Sequence, residues 1–200
     1  MEISDFDTEN QSTESKIVAS LERISQAFRV LLWQESKEHT LSPIQIQVLI
    51  FLLHHDPGKR KVSHLASEFN MTKATISDSV KVLEQKELIY KEFETHDSRS
   101  QIIHLTSKGK EIAEQTSVFA KEIRIPVEEM NRDDKENLML SLFNIIRHLN
   151  RANVITVQRM CTTCAYYQSE NGSPFCKLIN QNLEIRDLKI DCPEHQPLIN

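Results

Sequence analysis

One stretch of this 200-residue chain, residues 62–106, constrains the fold more than any other. It opens with apolar side chains that recur at helical spacing: Val62, Leu65, Ala66 and Phe69. We expect Asn70 to end this first helix, because asparagine tolerates the left-handed conformation that follows a helix C-terminus. A turn and a second helix should then follow, which is the element order of a helix-turn-helix.

The second helix is predicted to begin at Thr72, whose side chain can cap it. Its apolar stripe should pack on the protein body and consists of Ile76, Val80 and Leu83. The opposite face carries small polar and charged side chains: Lys73, Thr75, Ser77, Asp78 and Lys81. Such a helix can offer its polar front to the major groove of DNA. Asp78 would read a cytosine amino group or orient a basic neighbour, and a solvated surface residue is the equal alternative for it.

Two strands joined by a polar loop are predicted after this helix. Residues 88–90 and 101–105 have the β-branched, half-alternating pattern of a hairpin. We expect residues 94–100 to form the exposed loop, with Arg99 near its tip and Asp97 two residues earlier. An arginine there can enter the minor groove, where the potential is most negative, and the carboxylate can fix its guanidinium.

Together these features resemble the MarR family of winged-helix transcriptional regulators. The matching pieces are the leading helix at 42–53, the helix pair at 62–89, the HDSR of the wing at 96–99 and the closing LTSKG at 105–109. The resemblance covers roughly residues 14–155. It implies a mainly α fold: a winged helix-turn-helix with a two-stranded β wing, and N- and C-terminal helices that form a dimerisation region. Two residues depart from the family pattern, Glu87 at a usual glycine and Glu92 at a common basic wing position.

The expected domain organisation has four parts. These are a flexible N-terminus at 1–13, dimerisation helices at 14–41 and 107–160, a winged DNA-binding domain at 42–106 and a cysteine-rich metal-binding tail at 161–200. Ser42 and Pro43 should cap and start a helix that lies at the centre of the core.

Beyond the wing, we predict a helix over 107–124, a break or kink at Pro126, and a helix from about Asp133 to about Thr156. The buried set of the first is predicted to be Ile112, Ala113, Val118, Phe119 and Ile123.

Two heptad-like seams flank the winged region. The first seam is Ile17, Leu21, Ile24, Phe28 and Leu31, and the second is Leu138, Leu142, Ile145, Leu149 and Ala152. These helices could pack on each other within one chain. The resemblance favours the alternative, in which the terminal helices of two subunits intertwine. Two-fold symmetry would then place two recognition helices roughly 34–36 Å apart and predicts a pseudo-palindromic operator.

Charge is distributed unevenly along the chain. The net charge is −5, but residues 59–110 carry 10 Lys and Arg against 7 Asp and Glu, which makes the winged region the one positive segment. An ordinary solvated loop around Lys59-Arg60-Lys61 is the simpler interpretation of part of that excess. The sequence has no run of 18 apolar residues and an acidic, polar N-terminus, so we expect a cytoplasmic protein without a membrane span.

All four cysteines lie in the last 40 residues, in the pattern C-x2-C-x11-C-x15-C: Cys161, Cys164, Cys176 and Cys192. A tetrahedral Zn²⁺ site on four thiolates is the default interpretation. An iron–sulfur cluster is the second, since Cys192 is followed by a proline, and a reversible disulfide sensor is the third. His195 could replace one cysteine or donate a hydrogen bond from just outside the cluster.

The sequence therefore predicts a dimeric, sequence-specific DNA-binding regulator, most simply a repressor, with a metal or redox centre in its tail. In the family it resembles, small-molecule or redox effectors often act in the cleft between the dimer and the lobes. The alternative is a metal or iron–sulfur redox protein, or a protein-interaction module, on a helical dimer scaffold. No phosphate-binding glycine loop, G-x-S-x-G or H-E-x-x-H motif is present, so we expect no enzyme.

Overall fold

The computed structural model describes residues 12–94, 97–156, 159–170 and 173–197, with the backbone alone at 97–99 and 170. Two compact units divide the chain: Met1–Leu65 with Lys73–Arg124, and Ala66–Thr72 with Ile125–Asn200. The helices are α1 (Thr13–His39), α2 (Pro43–His54), α3 (Val62–Glu68), α4 (Lys73–Gln85), α5 (Ser107–Thr116), α6 (Lys121–Glu129) and α7 (Arg132–Arg151). None of the helices in these ranges is both long and apolar enough to cross a membrane.

The strands form two small antiparallel sheets. β1 (Ile89–Glu94) pairs with β2 (Asp97–Leu105) in the first. The second has the order β3-β4-β5 and contains β3 (Tyr167–Glu170), β4 (Ser173–Cys176) and β5 (Gln181–Asn182). The predicted mainly α fold with a two-stranded wing is confirmed, whereas the three strands of the tail were not predicted.

α2 lies at the centre of the first unit, as its almost uniformly apolar sequence predicts. Its fully buried side chains are Ile46, Val48, Leu49 and Leu52. The start of the helix is fixed by a capping box: Ser42 Oγ accepts the Gln45 N–H at 3.4 Å, and Gln45 Oε1 accepts the Ser42 N–H at 2.9 Å. Pro43 occupies the first turn, so the predicted cap and proline are both confirmed. α4 and α5 pack on this helix.

The LTSKG segment ties the start of α5 to the end of α4. Thr106 Oγ1 accepts the Gly109 N–H at 3.0 Å and donates to the Glu87 carbonyl at 2.8 Å, while the Thr106 N–H donates to the Leu88 carbonyl at 3.0 Å. Gly109 has no room for a side chain, because a Cβ would lie 1.8 Å from the Leu88 carbonyl oxygen. Glu87 has φ 59°, the left-handed conformation that favours glycine.

The helices after the wing differ from the prediction in three ways. α5 ends at Thr116, and Pro126 lies inside α6 instead of breaking a helix. The proline removes one hydrogen bond, but α6 has no buried residue, so water can satisfy the freed carbonyl. Val118, predicted to be buried, is 63% exposed in the turn after α5.

α7 also ends earlier than predicted, at Arg151 instead of near Thr156. Asn153 adopts a left-handed φ of 57°, and the Val154 N–H donates to the Leu149 carbonyl at 3.0 Å. This closes the helix in the manner of a C-terminal asparagine cap. The sequence signal for the end of α7 was therefore Asn153, a helix-ending asparagine of the kind predicted at Asn70.

Candidate nucleic-acid interface and cysteine-lined cavity

α4 presents one polar face to solvent and buries the other. Its buried side chains are Ile76, Ser79, Val80 and Leu83. The exposed ones include all five predicted DNA-contacting residues of this helix: Lys73, Thr75, Ser77, Asp78 and Lys81. Lys73 and Lys81 form no ion pair with any residue in the described ranges. The predicted division of this helix into an apolar back and a polar front is confirmed.

Left-handed residues set the connections on both sides of α4. Asn70 has φ 52°, and the Met71 N–H donates to the Ala66 carbonyl at 2.9 Å, which ends α3 where the sequence predicts. After α4, the Leu88 N–H donates to the Leu83 carbonyl at 3.0 Å around the left-handed Glu87. The helix is therefore bounded by two backbone turns and not by loose loops.

The wing is a hairpin with a shorter connection than predicted. Its register runs from Ile89 opposite Leu105 to Phe93 opposite Gln101, and after an irregularity Glu94 faces Asp97. The predicted loop at 94–100 is therefore wrong in extent, because strand pairing reaches Glu94 and resumes at Asp97. The side chains of Asp97 and Arg99 lie outside the described parts of the structure, so their assignment to the minor groove stays a prediction.

Several basic side chains near the wing are paired with carboxylates. Lys61 Nζ lies 2.7 Å from both Glu94 carboxylate oxygens, and Lys91 Nζ lies 2.7 Å from Glu84 Oε2. These pairs lower the positive charge that the wing offers to a phosphate. Lys73 and Lys81 of α4, which form no ion pair within the described ranges, therefore contribute a larger share of the attraction to phosphate than a count of charges in residues 59–110 suggests.

The four cysteines of the tail line a single cavity of about 30 Å³. They reach it from separate segments: a 3-10 turn at Cys161–Thr163, the following Cys164, β4 and the segment near the C-terminus. Tyr167 and Leu183 also line it, as does Glu194. All four are free thiols. No group of three or more His, Cys, Asp or Glu within the described ranges has the arrangement of a metal site as it stands.

Backbone hydrogen bonds hold the first thiol in place. The Cys164 N–H donates to the Cys161 carbonyl at 3.0 Å, and the Lys189 N–H donates to Cys161 Sγ at 3.2 Å. Burial raises the pKa of the Cys161 thiol, and the charges of the other three sulfurs raise it further. The cavity therefore favours the protonated thiol at Cys161 unless a cation enters it.

His195 and Thr162 are close in sequence to cysteines that line this cavity, but their contacts differ. His195 Nε2 is 3.0 Å from Thr163 Oγ1, and burial lowers the pKa of this histidine. His195 is not among the residues that line the cavity. Thr162 lies between the first two cysteines, and its buried Oγ1 has no hydrogen-bond partner in the described part of the chain.

Sequence reasoning missed Arg159, which joins the tail to the end of α3. Its Nη2 donates to Glu68 Oε2 at 2.9 Å and its Nε donates to Asp191 Oδ1. Burial would lower the pKa of Arg159, but the hydrogen bonds and charges of these two carboxylates outweigh it and the pKa is raised. The only available signal was an aspartate directly before Cys192, which does not identify a partner 32 residues away.

An exposed helix, the helix before it and a two-stranded hairpin define a winged helix-turn-helix protein. The MarR family model matches residues 39–100, a stretch that contains α2, α3, α4 and β1. No protein of curated function matches the chain significantly.

Solved structures of Staphylococcus aureus MepR have a similar fold. The MepR–DNA complex shares 22% identity, covers 70% of this chain and 100% of its own, and has a TM-score of 0.59. MepR in its DNA-binding conformation shares 23% identity over 66% of this chain and 98% of its own, with a TM-score of 0.60. A third structure is of MepR as a transcription regulator of the multidrug efflux pump MepA. It shares 22% identity, covers 64% of this chain and 95% of its own, and has a TM-score of 0.50.

Proposed function

We propose that this protein is a sequence-specific DNA-binding transcription regulator of the MarR type that acts as a homodimer in the cytoplasm, most simply as a repressor. The observation that carries the proposal is the exposed polar face of α4 on a buried apolar stripe. A structure of the similar MepR is a complex with DNA, which supports the same use of the fold here. We expect no catalytic activity.

The order of side chains along α4 suits a major groove. Lys73 is the first residue of the helix and Lys81 lies eight residues later, about 12 Å along the axis. That length matches the major-groove width of about 12 Å, so the two lysines can reach phosphates on opposite sides. Thr75, Ser77 and Asp78 lie between them, where base edges are read. Arg99, oriented by Asp97, is the proposed minor-groove contact.

The proposed dimer rests on apolar side chains that α1 leaves exposed. Several large ones are 39–57% exposed along this helix: Ile17, Val18, Ile24, Phe28, Val30 and Trp33. On α7, Leu138 and Ile145 are each 37% exposed. Ile17, Ile24 and Phe28 recur at heptad spacing and so share one side of α1, and an exposed apolar stripe of this kind marks an interface more often than single scattered side chains do. Two copies would present two α4 helices to the half-sites of a pseudo-palindromic operator.

Dimerisation can be tested separately from DNA binding. Ile24→Glu should shift the protein from dimer to monomer in sedimentation velocity, because it places a charge on the apolar face of α1. Ser25→Glu is the matched control, since Ser25 is an exposed neighbour on the same helix. A dimer unaffected by Ile24→Glu would remove α1 from the interface.

The DNA-binding proposal is tested by selection from a random-sequence duplex library with the full-length protein. The expected result is one enriched motif with two half-sites roughly 10 base pairs apart, centre to centre. Its affinity should fall steeply with salt. Failure to enrich any motif at low salt, with protein that is folded and dimeric, would contradict the proposal.

Control of this regulator would act on the separation of its two winged lobes. A small-molecule or redox effector that binds one separation better shifts the population by its difference in affinity. The test is to measure operator affinity with and without a candidate effector. An effector that binds without changing that affinity is not a regulator of this kind.

The cysteine-lined cavity favours a second candidate, a metal or iron–sulfur redox protein or a protein-interaction module on a helical dimer scaffold. A brown protein containing iron and sulfide would support a cluster. A partner captured through the tail, with DNA binding intact after removal of the tail, would support the interaction module.

A further inference from the structure

We infer that the four cysteines of the tail bind one Zn²⁺ ion as thiolates, and that this ion attaches the tail to the end of α3. The inference extends the proposed function, but the site itself does not depend on DNA binding.

The convergence of four thiols on one small cavity is the first support. Cys161, Cys164, Cys176 and Cys192 are separated by up to 15 intervening residues, yet all four line the same space. Four thiolates around one ion is a standard structural zinc site. The cavity has a volume of about 30 Å³, which exceeds the ~10–15 Å³ that one water-sized body needs. That is room for a single ion.

The surroundings of the thiols suit thiolates that a cation neutralises. Lys189 already donates its N–H to Cys161 Sγ. To reach the Zn–S distance of about 2.3 Å, the thiols must close on the ion by side-chain rotation.

The tail needs such an ion because its apolar core is small. Within the described residues after 158, the buried hydrophobic side chains are Met160, Cys164 and Leu188. Met160 and Leu188 pack with Phe143 of α7. A segment with so little apolar burial is usually held by disulfides or a metal, and the cysteines here are free thiols.

One ligand is connected directly to α3. The Cys192 N–H donates to the Arg159 carbonyl at 2.9 Å, and the preceding Asp191 accepts from the Arg159 side chain. Arg159 in turn binds Glu68, the last residue of α3. An ion that fixes Cys192 therefore also fixes the Arg159 guanidinium. Through Glu68, that guanidinium holds the residues that lead into the turn before α4.

The site is tested by metal analysis of full-length protein purified without chelator under anaerobic conditions. We expect one zinc per chain and its loss in Cys164→Ser. His195→Ala is the matched control and should retain zinc. A Co²⁺-loaded protein should show the visible bands of a tetrahedral thiolate site.

Several results would overturn the site. These are iron with sulfide in place of zinc, metal-free protein containing disulfides, zinc retained by Cys164→Ser, or zinc lost from His195→Ala. If Cys164→Ser fails to fold, chelation of the wild-type protein followed by zinc titration gives the same stoichiometry.

The attachment to α3 is tested by hydrogen exchange with and without zinc. Removal of zinc should speed exchange at residues 66–72 and 159–161, and Glu68→Gln should speed it at 66–72 while zinc stays bound. Unchanged exchange at 66–72 after complete zinc removal would overturn the attachment.

DNA affinity separates this inference from the proposed function. On the selected duplex, zinc removal should weaken binding by at least about fivefold, a typical coupling between sites. If zinc-loaded protein binds no duplex, the proposed function fails and the zinc site stands. If affinity is equal with and without zinc, the site does not reach the DNA-binding surface.

Discussion

The winged region and the cysteine tail hold their functional groups by different means. In the winged region, α2 supplies a fully buried apolar centre, and backbone caps fix the ends of the helices around it. In the tail, the described residues after 158 bury only three hydrophobic side chains, and position depends on hydrogen bonds to backbone and on Arg159. A packed region tolerates the loss of a single polar contact, whereas a sparsely packed one depends on each.

The largest expected effect is at Gly109 in the winged region. Gly109→Ala would place a Cβ 1.8 Å from the Leu88 carbonyl oxygen, and backbone must move to relieve it. We expect a loss of about 3 kcal/mol in the free energy of unfolding, measured by urea denaturation. Gly58→Ala is the control, since its Cβ would meet no atom within 4 Å. Equal stability of the two variants would mean that the LTSKG segment is not closely packed.

A smaller effect is expected at Arg159, where the tail depends on one side chain. Arg159→Ala leaves Glu68 and Asp191 without their shared partner, although their side chains are 25% and 30% exposed. We expect a loss of about 1–2 kcal/mol in unfolding free energy, below the cost for a fully buried pair because solvent screens these carboxylates.

The control for Arg159 is Arg132→Ala, which also removes contacts with two carboxylates, Glu136 and Glu184. Arg132 is 68% exposed, so we expect no measurable change in stability. Similar losses for both variants would contradict the special dependence of the tail on Arg159.

The smallest expected effect is a gain in stability at Glu87. Its left-handed φ of 59° is strained for a glutamate, so Glu87→Gly should stabilise the protein by about 0.5–1 kcal/mol in thermal unfolding. Asn70→Gly is the comparison, because asparagine already tolerates φ 52° and should gain less. A destabilised Glu87→Gly would indicate that the glutamate side chain contributes a contact that outweighs its strain.

Sequence patterns predicted the winged region well because its signals are local. The stripe of Ile76, Val80 and Leu83, the stop at Asn70 and the cap at Ser42 each act within one or two helical turns. The same reasoning predicted a break or a kink at Pro126, and the helix is not broken there, because an exposed helix can lose one hydrogen bond to water. It also overextended the wing loop, since strand pairing at Glu94 and Asp97 depends on the partner strand.

The tail was less predictable because its contacts join distant residues. The cysteine spacing identified the four thiols that line the cavity, but not the three-stranded sheet that carries Cys176. The contact of Arg159 with Glu68 spans 91 residues and has no local signature. Long-range polar pairs of this kind have to be read from the structure.

The central claim is that the exposed face of α4 contacts DNA, and the salt dependence of Lys81→Ala tests it most directly. Binding to the selected duplex is measured over a range of salt concentrations. Each lysine–phosphate contact contributes about 0.9 to the slope of log affinity against log salt. Lys81→Ala should therefore lower the slope by about one per protomer, or about two for a homodimer. Lys110→Ala, on the exposed surface of α5, should leave it unchanged. An unchanged slope for Lys81→Ala, with wild-type affinity, would contradict the assignment of α4 as the DNA-binding helix.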